Sequence, residues 1–195
     1  MKKLFTGEIH KDKTFNKVRI TKDVISDKEF DKCTFKSCSF FGTSFEACKF
    51  IDCKFIKCDF KLVKLNEVSF VDTLFKGSKL SGIDFSNLVG FDKSIDFDKC
   101  VINYATFIDM DLQNRSFSNS IIKECNFIEV NLGSCDFSNS DLKGTRFEDC
   151  DIRGANFVGA KSYFIDTSKN KISKAKFSMP EAASLLKNFD IIIED

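Results

Sequence analysis

Large apolar residues return at every fifth position along most of this chain. The first series is Phe15, Ile20, Ile25, Phe30, Phe35, Phe40, Phe45, Phe50, Phe55, Phe60, Leu65, Phe70, Phe75, Leu80 and Phe85. The phase slips by two residues across 86–96 and resumes as Phe97, Ile102, Phe107, Leu112, Phe117, Ile122, Phe127, Leu132, Phe137, Leu142, Phe147, Ile152 and Phe157. A period of five fits neither the 3.6 residues of a helical turn nor the two of a strand, so the backbone must turn a corner once per pentad. Two residues before most centres stands a small or β-branched side chain, and the remaining positions are mostly Asp, Asn, Ser, Lys and Glu, as in Cys135-Asp136-Phe137-Ser138-Asn139. Two positions in five therefore point inward and three outward.

All nine cysteines fall in the small column: Cys33, Cys38, Cys48, Cys53, Cys58, Cys100, Cys125, Cys135 and Cys150. Their spacings are multiples of five, never the two to four residues of a zinc knuckle. They read as small core residues that compensate for dense aromatic packing, with free thiols.

A small residue, then Asp or Asn, then Leu or Phe, then two polar residues is the unit that this chain repeats over roughly 18–160, and it resembles the pentapeptide-repeat family. The resemblance implies an all-β solenoid: a right-handed quadrilateral β-helix in which four pentads make one coil. The centres would then fill about seven coils, a rod of roughly 34 Å at about 4.8 Å per layer. In such a coil the second series, where Phe alternates with Ile or Leu, places Phe on two opposite walls. The slip at 86–96 reads as a bulge in one continuous core, since two extra residues are too few for a linker.

A stack of coils leaves unpaired backbone at both ends and needs caps. Residues 1–17 are expected to cap the start, with Phe5 and Ile9 packing on the first coil. Residues 161–195 are expected to cap the end. There Ser178-Met179-Pro180-Glu181 reads as a capping box opening a helix over about 179–189. A short strand, Ile191-Ile192-Ile193, follows. Leu185, Leu186 and Phe189 share one face of an α-helix, so the tail is a lid, a dimer interface, or both. The tail resembles that of the Qnr- and MfpA-like subgroup, which joins two rods end to end. That resemblance implies a homodimer through Leu185, Leu186, Phe189, Ile191 and Ile192.

The composition removes most chemistry. With 24 Phe, no Trp and His10 as the only histidine, the chain has no two-imidazole mechanism, and no Ser/His/Asp set assembles around His10. Glycines form no phosphate-binding loop. We expect no enzyme, no cofactor and no metal. The N-terminus lacks the apolar run of a secretory signal, and no segment reaches 18 consecutive apolar residues. The expectation is a cytoplasmic protein without membrane contact.

Net charge is +1, from 30 basic and 29 acidic side chains, which argues against direct nucleic-acid binding. Charge is divided along the chain, however: net +5 over 1–95 and −5 over 96–166. Rods of the resembled subgroup with acidic surfaces imply mimicry of DNA at DNA gyrase or topoisomerase IV, with fluoroquinolone protection. Here the candidates are Asp136, Asp141, Glu148, Asp149 and Asp151. Outward apolar residues one coil apart, Val101 with Ile121 and Ile108 with Ile128, and Tyr104 between them, form a second candidate, a partner-binding patch on one flat wall. The expected function is a noncatalytic protein-interaction module; the alternative to a topoisomerase partner is a structural scaffold or effector binding an unrelated protein.

Overall fold

The corner that a five-residue period demands is made by the second residue after nearly every centre. Where these residues are not glycine they take left-handed backbone conformations, with φ from 46° at Asp72 to 62° at Lys174. For residues with a Cβ this costs on the order of 1 kcal/mol, and hydrogen bonds between coils offset it. Lys17 N–H, for example, donates to the Lys36 carbonyl at 2.9 Å. Gly144 takes such a corner at φ +73°, where a Cβ would run into the Glu124 carboxylate of the coil below.

Repeated corners wind the chain into a right-handed quadrilateral β-helix of about seven turns. The computed structural model describes residues 5–90, 93–189 and 191. On the first wall Ile9–Lys11, Glu29–Asp31, Lys49–Ile51 and Ser69–Val71 pair in parallel. The second carries Thr14–Asn16, Thr34–Lys36, Lys54–Ile56, Thr73–Lys76 and Ile95–Asp98. The third and fourth are built the same way, so each centre lies over a centre: Ile102 on Ile122, Phe107 on Phe127.

Phe15, Phe35, Phe55, Phe75, Phe97, Phe117, Phe137, Phe157 and Phe177 make one unbroken column on the second wall, with ring centroids 4.7–5.5 Å apart. Phe85, Phe107, Phe127 and Phe147 stack on the opposite wall. The other two walls change from Phe in the early coils to Leu and Ile in the later ones, so the aromatic density falls along the rod.

Across the slip, Phe75 pairs with Phe97 and Leu80 with Ile102, an offset of 22 residues, and Phe85 stacks on Phe107 at 4.7 Å. Elsewhere the offset is 20. The core is continuous, and the two additional residues are absorbed within 86–96 on the first wall.

The small column does more than leave room. Its cysteines and most of its hydroxyl side chains reach under the preceding coil and donate a hydrogen bond to the carbonyl of a centre residue there. The Cys53 thiol donates to Phe30 at 3.2 Å and the Cys150 thiol to Phe127 at 3.3 Å, while Ser140 Oγ donates to Phe117 at 2.8 Å and Thr145 Oγ1 to Ile122 at 2.7 Å. All nine cysteines are buried free thiols. Because Ser already fills this role, Cys125→Ser is expected to lose less than about 1 kcal/mol in urea unfolding, whereas Cys125→Leu should lose about 1–3 kcal/mol by overpacking.

The ends differ from the sequence reading. The first coil begins within the expected cap: His10 pairs with Phe30 as a centre, and Ile9 is 64% exposed rather than packed. The side chains alternate along a strand, so burying position 10 turns position 9 outward. Phe5 does pack, its ring edge-on to Phe15 and Phe30 at 5.2 and 5.1 Å.

At the other end the repeat runs past 160, for Ile172 and Phe177 pack on the core after an excursion over 162–169. The final helix is a 3₁₀ helix, Glu181–Phe189. No capping box forms at its start, because Ser178 Oγ accepts from Gly159 N–H at 2.9 Å instead. With three residues per turn, positions three apart eclipse. Leu185 therefore packs on the core while Leu186 and Phe189 share an exposed face, unlike the single α-helical face expected. Ile191 is exposed, and Ile192 and Ile193 of the expected strand lie outside the described residues.

Candidate interaction surface

A regular corner turns sequence spacing into columns. Residues 20 apart stand over one another, and the three outward positions of each wall become parallel rows along the rod. On the edge between the fourth and first walls this brings Asp109, Glu129 and Asp149 into successive coils, all exposed, at φ of 49–55°. Asp109 N–H donates to the Ile128 carbonyl at 3.1 Å and Glu129 N–H to the Glu148 carbonyl at 2.9 Å. Among the described residues none of the three has an ion-pair partner. Asp27 and Glu67 lie on the same edge in the early coils, where Ala47 and Asn87 interrupt the acidic row.

Of the five acidic residues singled out in the sequence, only Glu148 and Asp149 lie at this edge. The others ring the coil. Asp136, on the second wall, accepts from Asn156 Nδ2 at 3.0 Å. Asp141, on the third, meets Lys123 Nζ at 2.8 Å. Burial works against its charge, but Lys123 holds the carboxyl below its usual range. Asp151, on the first, accepts from Arg153 Nε at 2.8 Å, and the Arg153 guanidinium lowers it likewise. A block of chain rich in acid thus wraps all four walls, because each pentad faces a quarter turn from the last. Asp109 and Glu129 were missed, although their shared position two residues after Phe107 and Phe127 was available in the repeat.

The apolar rows are also divided. Val101 pairs with Ile121 on the third wall and Ile108 with Ile128 on the fourth. Tyr104, 67% exposed, projects from the corner between them. These five are not on one flat wall, since two consecutive pentads cannot share one. Ile108 and Ile128 instead border the acidic edge, each immediately preceding Asp109 or Glu129.

At the C-terminal end, Leu186 (41% exposed), Phe189 (58%) and Ile191 are open to solvent, as are Phe164 and Met179. Tyr163, Phe164, Pro180, Leu186 and Ile191 line a shallow groove there. Ile192 falls outside the described residues.

Eight of the nine cysteine thiols are raised above their usual range, and only Cys38, through its hydrogen bond with Cys58, is lowered, to about 7. Burial pushes the Cys53, Cys100 and Cys135 thiols up to about 12 and Cys125 up to about 11, so these stay protonated near neutral pH and lack the thiolate that nucleophiles and metal ligands require. Among the described residues, no group of three or more His, Cys, Asp or Glu is placed to hold a metal ion.

The family model described as pentapeptide repeat region matches residues 28–107, 89–157 and 103–177. Among solved structures, the trypsin-treated form of a QnrB1 variant, a plasmid-mediated fluoroquinolone resistance protein, is similar with a TM-score of 0.68 at 14% identity. That match covers 93% of this chain and 100% of the other. HetL, a pentapeptide repeat protein involved in heterocyst differentiation regulation from the cyanobacterium Nostoc sp. strain PCC 7120, matches with a TM-score of 0.46 at 11% identity over 85% of each chain. No curated protein matches the sequence.

Proposed function

The chain belongs to the pentapeptide-repeat family, and on that premise we propose that it is a noncatalytic protein-interaction module acting in the cytoplasm, whose partner is a type II topoisomerase that it engages as a mimic of DNA. The observation that carries this reading is the edge of Asp109, Glu129 and Asp149. It offers one unpaired carboxylate per coil, about 4.8 Å apart. Duplex DNA presents one negative charge per about 3.4 Å along each strand, so the edge is a sparser line of anions of similar geometry. A groove shaped for phosphates would attract it electrostatically, with the neighbouring Ile108 and Ile128 adding apolar area at the contact. Likeness to QnrB1 at 14% identity supports the analogy at the level of fold.

The test is a DNA gyrase supercoiling assay with and without a fluoroquinolone. Micromolar protein is expected to inhibit supercoiling or to protect the enzyme from the drug. Reversal of the edge, Asp109→Lys with Glu129→Lys and Asp149→Lys, is expected to remove the effect at unchanged fold. Neither inhibition nor protection by the unaltered protein rejects the topoisomerase reading.

A second reading, a scaffold or effector binding an unrelated protein, is favoured by the Val101–Ile121 row, with Tyr104 at the adjoining corner, on a wall where Asp141 is already paired to Lys123. In that case Ile108→Asp with Ile128→Asp should leave partner capture intact while substitutions at Tyr104 and Ile121 abolish it. In either reading the exposed Leu186, Phe189 and Ile191 support a homodimer through the C-terminal cap, which a mass measurement in solution tests.

A further inference from the structure

His10 occupies a centre of the first coil, a place that phenylalanine, leucine or isoleucine fills in every coil whose centre on that wall is described. Its ring stacks on Phe30 at 5.0 Å and 18°, and meets Phe5 at 5.6 Å and Phe15 at 6.0 Å. The residue is 3% exposed, and neither Nδ1 nor Nε2 has a hydrogen-bond partner among the described residues. A neutral imidazole carries one donor and one acceptor, and a protonated one carries two donors and a charge. This pocket of three phenyl rings serves none of them.

The charged groups around the ring make a proton still less welcome. Lys13, from the strand-bearing pentad that follows, and Lys28, from the pentad stacked above, both disfavour a second positive charge. The Gly7 backbone favours the protonated ring without reaching hydrogen-bond geometry. The Cys33 thiol is committed to the His10 carbonyl at 3.3 Å. Lys11 points outward to Asp31 at 2.9 Å, and Glu8, Asp12 and Glu29 lie at outward or end positions of the same wall. Burial first, then Lys13 and Lys28, hold the ring's pKa below 6.5.

The first coil is also held less firmly than the coil that follows it. Phe15, Val18 and Ile20 are only partly buried, whereas their equivalents one coil later, Phe35, Cys38 and Phe40, are fully buried. It is fastened to the second coil by Glu29 N–H to the Glu8 carbonyl at 2.8 Å, Thr34 to Lys13 at 2.8 Å and Ser39 to Val18 at 2.8 Å. Opening it breaks these bonds and leaves the inner coils stacked.

We propose that His10 makes the N-terminal coil an acid-sensitive closure: taking up a proton, the ring leaves the aromatic stack and the first coil opens while the rest of the rod stays folded. The sign follows from linkage. The closed coil keeps the ring neutral, and the opened coil lets it titrate near 6.5. Closure is therefore fully stable above that pH and weakens as pH falls below it. In the limit where the closed coil takes no proton, the open fraction rises roughly 30-fold between pH 7.5 and pH 5.0.

Amide hydrogen exchange on the full chain at both pH values, corrected for intrinsic rates, tests this. Protection at Glu29, Thr34 and Ser39 is expected to fall by up to roughly 30-fold at pH 5.0. Protection at Lys49, Lys54 and Asp59, which donate to Lys28, Cys33 and Cys38 one coil further in, is expected to hold. His10→Phe, which continues the column with a ring that cannot titrate, should remove the pH response. The proposal is overturned by unchanged protection in the first set, by equal loss in both sets, or by a pH response that survives in His10→Phe.

Discussion

Phe127→Ala is expected to destabilise the rod by about 3–5 kcal/mol, the range for truncating a fully buried aromatic side chain. Phe127 has no measurable exposure, lies between Phe107 at 4.6 Å and Phe147 at 5.2 Å, and receives the edges of Phe117 at 5.7 Å and Phe137 at 6.1 Å. The cavity cannot collapse, because the rings above and below are fixed by the same strand ladder that held Phe127. Denaturant unfolding followed by circular dichroism reads the loss as a lower midpoint. Phe177→Ala provides the comparison: it removes the same ring from the partly buried end of the second-wall column and should cost clearly less. Equal costs for both variants would contradict the greater burial of Phe127 within the stack.

The second large effect is expected at Asn170. This buried side chain donates to the Phe147 carbonyl at 2.9 Å and the Asp166 carbonyl at 2.9 Å, and it accepts from Cys150 N–H at 2.9 Å. One amide thus ties the last partial coil to the coil before it and closes the excursion over 162–169. Asn170→Ala strands a buried backbone donor and acceptor, each worth about 1–3 kcal/mol when left unsatisfied, so a loss of about 2–4 kcal/mol is expected. Asn170→Asp retains the acceptor but removes both donors and buries a charge, and it should be no better. Limited proteolysis gives a second reading: cleavage is expected to begin after residue 160 in Asn170→Ala, with the earlier coils still resistant. A variant as stable as the parent, with no new cleavage, would show that the cap is held by Ile172, Phe177 and Leu185 alone.

Asn170 also illustrates how much of the molecule was legible. It stands two residues before Ile172, the same place that Cys150 holds before Ile152, so the repeat announced it. The excursion concealed it, because Ser162 and Thr167 break the run of large centres. His10 was concealed in a related way, by being the wrong residue type in the right phase. The acidic edge was harder to find. Asp136, Asp141 and Asp151 are closer together in sequence than Asp109, Glu129 and Asp149, but each pentad faces a new wall, so nearness along the chain separates residues in space and a spacing of 20 unites them. The face of the final helix was misread for want of a single quantity, its residues per turn, which no pattern in so short a segment supplies.

The amino-acid sequence determined, by itself, that the backbone bends once in five residues, that two positions in each pentad are interior, and that large apolar side chains fill one of them while mostly small side chains fill the other. These follow from local rules: side-chain size, polarity and the corner conformation act within a pentad. Which pentads stack, which outward residues share an edge, and where the two additional residues at the slip are absorbed were decided only in the tertiary structure. They depend on strand pairing between residues 20 or 22 apart, and that pairing exists only once a whole coil has closed beneath the next.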